Sequence, residues 1–114
     1  MNIKIFRANR GEGKTKWLVN QAIEAAEAGY ELVYIGGDVE RVHFANMWRS
    51  EMHKPFPAKT AYEVMLDKQQ DEHKYCLLTD GLIENIGRAT SWAHNLKGNE
   101  HMWCITMGAE DFVN

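Results

Sequence analysis

Nothing in this 114-residue chain approaches the ~18 consecutive apolar residues a membrane span requires, and Met1-Asn2-Ile3-Lys4 lacks the charged-then-apolar layout of a secretion signal. Neither sign of charge dominates. Thirteen basic side chains stand against sixteen acidic ones, a formal net charge of -3, so no global electrostatic drive pulls the chain toward nucleic acid. Cysteine is scarce: Cys76 and Cys104 both fall in apolar, strand-like runs, which favours buried thiols acting as small apolar side chains over a disulfide. Neither shows metal-ligand spacing, and His43, His53, His73, His94 and His101 are scattered, so no zinc site is expected and the histidines read as solvated or helix-surface residues. Repeats, linkers and low-complexity segments are absent. These absences lead to one soluble, cytoplasmic domain over residues 1–114 with no membrane partner, and the composition, 45% hydrophobic and 25% charged, suffices to enclose a core.

What is present is an alternation of two hydrophobic periods. Residues 2–8 read as a strand whose Ile3, Ile5 and Phe6 suit cover on both faces. Leu18, Val19, Ala22, Ile23 and Ala26 then recur at three- and four-residue steps, predicting a helix over 15–28 with Gly29 at its C-terminal cap. Residues 31–35 form a second buried-type strand, halted by Gly36-Gly37. Asp38 is placed to cap a helix carrying Val39, Val42, Ala45, Trp48 and Met52 as its apolar stripe. Both prolines of the chain lie in Lys54-Pro55-Phe56-Pro57, which must break that helix. Thr60 and Glu63 fit a capping box opening a short helix to about Gln70, followed by a polar stretch. Strands at 75–79 and 102–107 flank a helix over about 82–97, with Leu82, Ile86, Ala89, Ala93 and Leu96 on one face and Gly98-Asn99 as its stop. This order predicts an α/β three-layer sandwich around a mainly parallel sheet of about four strands, since parallel neighbours need crossovers.

Between the first strand and the first helix lies Gly11-Glu12-Gly13-Lys14-Thr15-Lys16. Glycines there let backbone N–H groups approach phosphate oxygens, a helix N-terminus adds a fixed positive field, and Lys14 adds a full charge. The stretch Ala8-Asn9-Arg10-Gly11-Glu12-Gly13-Lys14-Thr15 resembles the Walker A pattern G-x-x-x-x-G-K-[ST] of the P-loop NTPases, with Ala8 in place of the first glycine. The resemblance implies a P-loop NTPase-like fold in which Asn9, Arg10, Gly11, Glu12, Gly13, Lys14, Thr15 and Lys16 hold the phosphates of ATP or GTP and Thr15 places its hydroxyl on Mg2+. A dinucleotide fingerprint starting at Gly11-x-Gly13, with Asp38 toward a ribose, is the rival reading. Its third glycine is replaced by Lys16, and it gives Lys14 no task.

Tyr75-Cys76-Leu77-Leu78-Thr79-Asp80 looks like a Walker B strand, which implies that Asp80 faces the metal through water, on a strand beside the glycine loop. The helicase and recombinase branch of these ATPases commonly places a glutamate after that aspartate, where this chain has Gly81. Glu84, one helical turn on, and Glu12 in the loop are the remaining acids near enough to orient water, with a solvated first-turn acid as the plain reading of Glu84. The catalytic set implied is therefore Lys14, Asp80 and Glu84. Thr106 matches the polar sensor of those enzymes in position. Trp17 sits close to the loop, and the four tryptophans otherwise read as packing residues. Arg41, Arg49 and Arg88 fall on predicted helices as ordinary exposed charge, so an arginine acting on phosphate would come from a protein partner or a second copy, and turnover alone would be slow. No Asn/Thr-Lys-x-Asp string follows the strands, which favours ATP over GTP. The alternatives are a non-catalytic nucleotide-binding or interaction protein regulating a partner, of viral or mobile-element type, and a small nucleic-acid-associated ATPase.

Overall fold

The computed structural model describes residues 1–9, 11–67, 73–80, 83–98 and 100–108. Within these the order is β1 (Asn2–Arg7), α1 (Lys14–Glu27), β2 (Glu31–Ile35), α2 (Asp38–Met52), α3 (Ala61–Met65), β3 (Tyr75–Thr79), α4 (Ile83–His94) and β4 (Met102–Met107). The strands pair in the order β1-β4-β3-β2, every pair parallel. The chain thus crosses the full sheet from β1 to β2 and returns through β3 to β4. Right-handed crossovers running in opposite directions put their helices on opposite faces. Packing follows that rule for α1 against α3 and α4, but α2, although part of the returning crossover, stays on the α1 face: Leu18, Val19 and Ala22 of α1 with Phe44 and Trp48 of α2 cover Leu32, Tyr34, Cys76, Leu78 and Cys104. Val64 of α3 with Ala89 and Trp92 of α4 covers Val33, Tyr75, Leu77, Trp103 and Ile105. The result is three layers around a wholly parallel sheet.

Because α2 and α3 lie on different faces, the chain between them wraps the β2 edge. There the Lys59 N–H donates to the Leu32 carbonyl at 2.8 Å, beside an isolated parallel bridge from Lys59 to Val33, which covers part of an otherwise open edge. β1 is the opposite edge. Its expected double cover is corrected here: Ile3 and Ile5 share the face of Trp103 and Ile105 but are 51% and 49% exposed, because the helices of that face sit over β2 to β4.

Helix ends show where local sequence suffices. At the end of α1, Gly29 adopts φ 89°, its N–H bonds to the Ala26 carbonyl at 3.1 Å and the Tyr30 N–H to that of Ala25 at 3.0 Å, a Schellman arrangement that only glycine enters without strain. The Thr60 hydroxyl accepts the Glu63 N–H at 3.1 Å, and its own proton goes to the Glu63 carboxylate, so half of the expected capping box forms. α3 stops at Met65, short of the Gln70 expected, and residues 68–72 lie outside the described part of the chain. α4 ends at His94 rather than near Lys97, as three-residue steps from Asn95 to Trp92 and from Leu96 to Ala93 tighten its last turn. Asp38 is not a cap; it is an exposed first-turn acid, with Gly37 in the cap position.

The α2 stripe also needs correction. Val39 and Val42 are 79% and 60% exposed; Trp48 is buried as expected, and Phe44 turns inward with it in place of the valines. Aromatic rings carry far more apolar area than valine, so burying two of them one turn apart decides the rotation. Phe56, held between the two prolines, closes this cluster with ring centroids 4.8 Å from Phe44 and 5.3 Å from Trp48. The helix stop therefore also supplies a core residue.

His101 departs from the surface expectation too. It is buried, its Nδ1 accepts the Tyr75 N–H at 3.1 Å, and its Nε2 donates to the Lys97 carbonyl at 2.6 Å. This fixes one neutral tautomer and joins the start of β3 to the start of β4. Cys76 and Cys104 are free and buried, as expected; the hydrogen bond shared with Cys104, then burial, raises the Cys76 thiol and keeps it unreactive.

Candidate phosphate-binding site

At the carboxyl end of β1 the Ala8 N–H still donates to the Met107 carbonyl at 3.1 Å. Ala8 thus extends the sheet ladder by one bond and has no need of glycine's freedom. The turn comes later, where Gly11 and Gly13 take φ 82° and 85°. A Cβ added to either would meet nothing within 4 Å, so the left-handed torsion selects glycine there, and the space beside both is open. Asn9 and Glu12 close the loop between them: the Glu12 N–H donates to the Asn9 carbonyl at 3.1 Å, and the Asn9 N–H donates to the Glu12 carboxylate at 2.6 Å. Glu12 is therefore engaged with the loop's own backbone. Arg10 lies outside the described residues.

α1 starts on Gly13, whose carbonyl accepts the Trp17 N–H at 2.9 Å, with no side-chain cap and no acid in its first turn. The N–H groups of Lys14, Thr15 and Lys16 consequently lack helical acceptors. Each of the other helices has an acid in its first turn: Asp38 and Glu40 in α2, Glu63 in α3, Glu84 in α4. α1 instead places Lys14 and Lys16 at the positive end of its dipole, an arrangement that an anion would relieve. Lys14 and Thr15 are half-buried and Lys16 is exposed; among the described residues Lys14 makes no ion pair. Phe6 stacks on Trp17 with centroids 5.2 Å apart, clamping the strand end to the helix start.

Asp80 stands at the end of β3, 8% exposed. Its strand is not beside the glycine loop, as the sequence suggested, because β4 runs between β1 and β3. Two strand spacings amount to about 10 Å, room for a phosphate and a cation between loop and carboxylate. The intervening strand supplies Thr106, fully buried, whose hydroxyl donates to Asp80 Oδ1 at 2.8 Å. The Asn85 amide holds the Asp80 carbonyl at 3.1 Å. Glu84 is an exposed first-turn acid of α4. Among the described residues no three His, Cys, Asp or Glu side chains group to hold a metal on their own, so a cation at this end of the sheet would need oxygens from a bound phosphate.

Tyr34 is the neighbour that sequence reading missed. Its hydroxyl is buried beside Asp80 and Glu40, with no hydrogen-bond partner among the described residues. Burial first, then the charges of Asp80 and Glu40, push the phenol well above its usual value, while Arg41, 5.9 Å over the ring, opposes them. Register carried the signal: Tyr34 pairs with Leu78, and a strand period of two puts Asp80 on the same side. Tyr75 is likewise pushed up to about 12, first by burial, then by Glu31 and Asp67. Since both phenols ionise at higher pH in the folded state than the ordinary tyrosine value of 10.0, their stabilisation is complete below pH 10 and drains away as pH climbs toward 12. Urea unfolding of wild type should therefore weaken between pH 10 and 12, and Tyr34→Phe should flatten that decline; an unchanged slope contradicts the buried-phenol account.

The Thr106 contact gives a second expectation. Thr106→Val leaves one oxygen of a buried carboxylate unpaired, at a cost of about 1–3 kcal/mol in urea unfolding, and Thr106→Ser restores most of it. Equal stability of wild type and the valine variant would show that the bond contributes nothing.

Comparison with protein-family models, with curated proteins and with solved structures gave no match for this chain. No helix among the described residues is long and apolar enough to cross a membrane.

Proposed function

We propose that this chain is a P-loop NTPase-like protein that binds a nucleoside triphosphate, ATP in preference to GTP, together with Mg2+. The observation that carries the reading is the uncapped, acid-free start of α1, preceded by two left-handed glycines and opening on Lys14. In this reading the backbone of the loop from Asn9 to Thr15 cradles phosphate oxygens, Lys14 and Lys16 offset their charge, Thr15 coordinates the metal and Asp80 reaches it through water. Bound Mg2+ would supply charge neutralisation at the terminal phosphates. Thr106 keeps the Asp80 carboxylate aimed.

Hydrolysis on this scheme is slow. Arg41 lies over the Tyr34 ring and Arg88 lies on α4 beside the β2 end of the sheet rather than at the glycine loop, so in this reading fast turnover takes an arginine from a protein partner or a second copy. The exposure of Glu84 favours, as the second reading, a nucleotide-binding protein that acts on a partner without turnover. Phosphate release from ATP by purified protein separates the two: a saturable rate that Lys14→Ala abolishes supports the enzyme, and nucleotide-dependent protection without release supports the binder. Stimulation by DNA or RNA would point to a nucleic-acid-associated ATPase instead.

A further inference from the structure

On the other face of the sheet, at the carboxyl end of β2, a cavity of about 470 Å3 opens between α3 and α4. One wall is apolar, from Ile35, Met65 and Trp92; the other is a polar stripe of Arg88, Ser91 and Asn95. Positions 88, 91, 92 and 95 follow helical spacing, so α4 and the turn that closes it present cation, hydroxyl, indole and amide along one side. The Arg88 guanidinium is held in place: it donates to Asn85 Oδ1 at 2.9 Å, and Asn85, 2% exposed, donates in turn to the Asp80 carbonyl at 3.1 Å. Among the described residues no carboxylate pairs with Arg88. Arg88 is exposed, and its guanidinium, with one hydrogen bond to Asn85, keeps N–H groups free beside an indole and an aliphatic wall, a fork suited to a carboxylate or phosphate.

The geometry points to this cavity as a second binding site, separate from the glycine loop, for a small organic anion: one phosphate or carboxylate group carried on a flat ring. The size lies within the ordinary range of small-molecule pockets, which combine an apolar lining with a few placed polar groups. Arg88 takes the anionic group in bidentate fashion, the ring lies against Trp92 and Ile35, and Ser91 and the Asn95 carbonyl oxygen meet polar edges of the ring. The Asn95 amide hydrogens are already directed to the Ser91 carbonyl at 3.1 Å, which leaves that oxygen as an acceptor. This site does not rest on the triphosphate reading of the loop.

The test follows the indole N–H signal of Trp92 by NMR, assigned through its loss in Trp92→Phe, during titration with phenyl phosphate, benzoate, adenosine monophosphate and inorganic phosphate. Saturable shifts of that signal with at least one ring-bearing anion are expected, with inorganic phosphate weaker by tenfold or more. Arg88→Gln, which preserves side-chain bulk, should reduce affinity at least tenfold, and Lys14→Ala should leave it unchanged. Ser91→Trp, which fills the cavity while keeping the Arg88 charge, should abolish the shift. The proposal is overturned if no ring-bearing anion moves the Trp92 signal, if Arg88→Gln and Ser91→Trp bind as wild type does, or if Lys14→Ala removes the response, which would assign the anion to the loop. Comparing phenyl phosphate with benzoate identifies which anionic group the fork prefers.

Discussion

Lys14→Ala should weaken ATP·Mg2+ binding by about 10- to 100-fold, since a hydrogen bond to a charged group contributes about 1.5–3 kcal/mol and each 1.4 kcal/mol is tenfold. Thermal unfolding makes the loss visible. With ligand at about one hundred times its Kd, wild type gains about 2.7 kcal/mol, roughly 10 °C for a domain of this size. The variant at the same ligand concentration should gain about 0.4–1.4 kcal/mol, roughly 2–5 °C. Without ligand the order reverses or vanishes. Lys14 makes no ion pair with the described residues and sits where the α1 dipole disfavours a cation, so alanine should leave the free protein within about 0.5 kcal/mol of wild type or slightly above it. A variant destabilised before ligand is added would mean that Lys14 serves the fold.

Trp48→Ala carries the largest expected effect on stability, about 3–5 kcal/mol by urea unfolding. Trp48 is fully buried, anchors α2 against α1 and the sheet, and packs on Phe56. A loss of that size removes a large share of the 5–15 kcal/mol typical of such domains. Trp48→Phe should cost less than half as much. The indole N–H is buried without a hydrogen-bond partner among the described residues, so exchanging it for an apolar ring sheds an unpaired donor while keeping most of the contact. Equal losses in the two variants would show that the N–H has a partner.

Periodicity carried the architecture. The apolar run at β3, the stripe of α1 and the glycine closing it each follow from local rules, and β3 is buried at every position. What local rules could not give was the identity of the neighbours. Whether Ile3 and Ile5 are covered depends on which strand becomes the edge, and whether Val39 or Phe44 turns inward depends on the Phe56 ring arriving from beyond the prolines. The site divides the same way. Gly11, Gly13 and Lys14 stand out in sequence because the turn needs their torsions and the helix start lacks an acid. The Thr106–Asp80 bond arises only once β4 has slipped between β1 and β3, and the approach of Tyr34 to Asp80 only once β2 pairs with β3 in register. Arg88 is exposed, as its place on α4 suggested, and its bond to Asn85 is a local contact three residues apart on the same helix.

Isothermal titration of the purified chain with ATP in the presence of Mg2+ bears most directly on the central claim. One saturable site is expected, weaker when the metal is chelated and weaker again in Lys14→Ala. Absence of saturable binding by ATP and GTP at millimolar concentration, in a protein whose unfolding curve shows it to be folded, would contradict the claim.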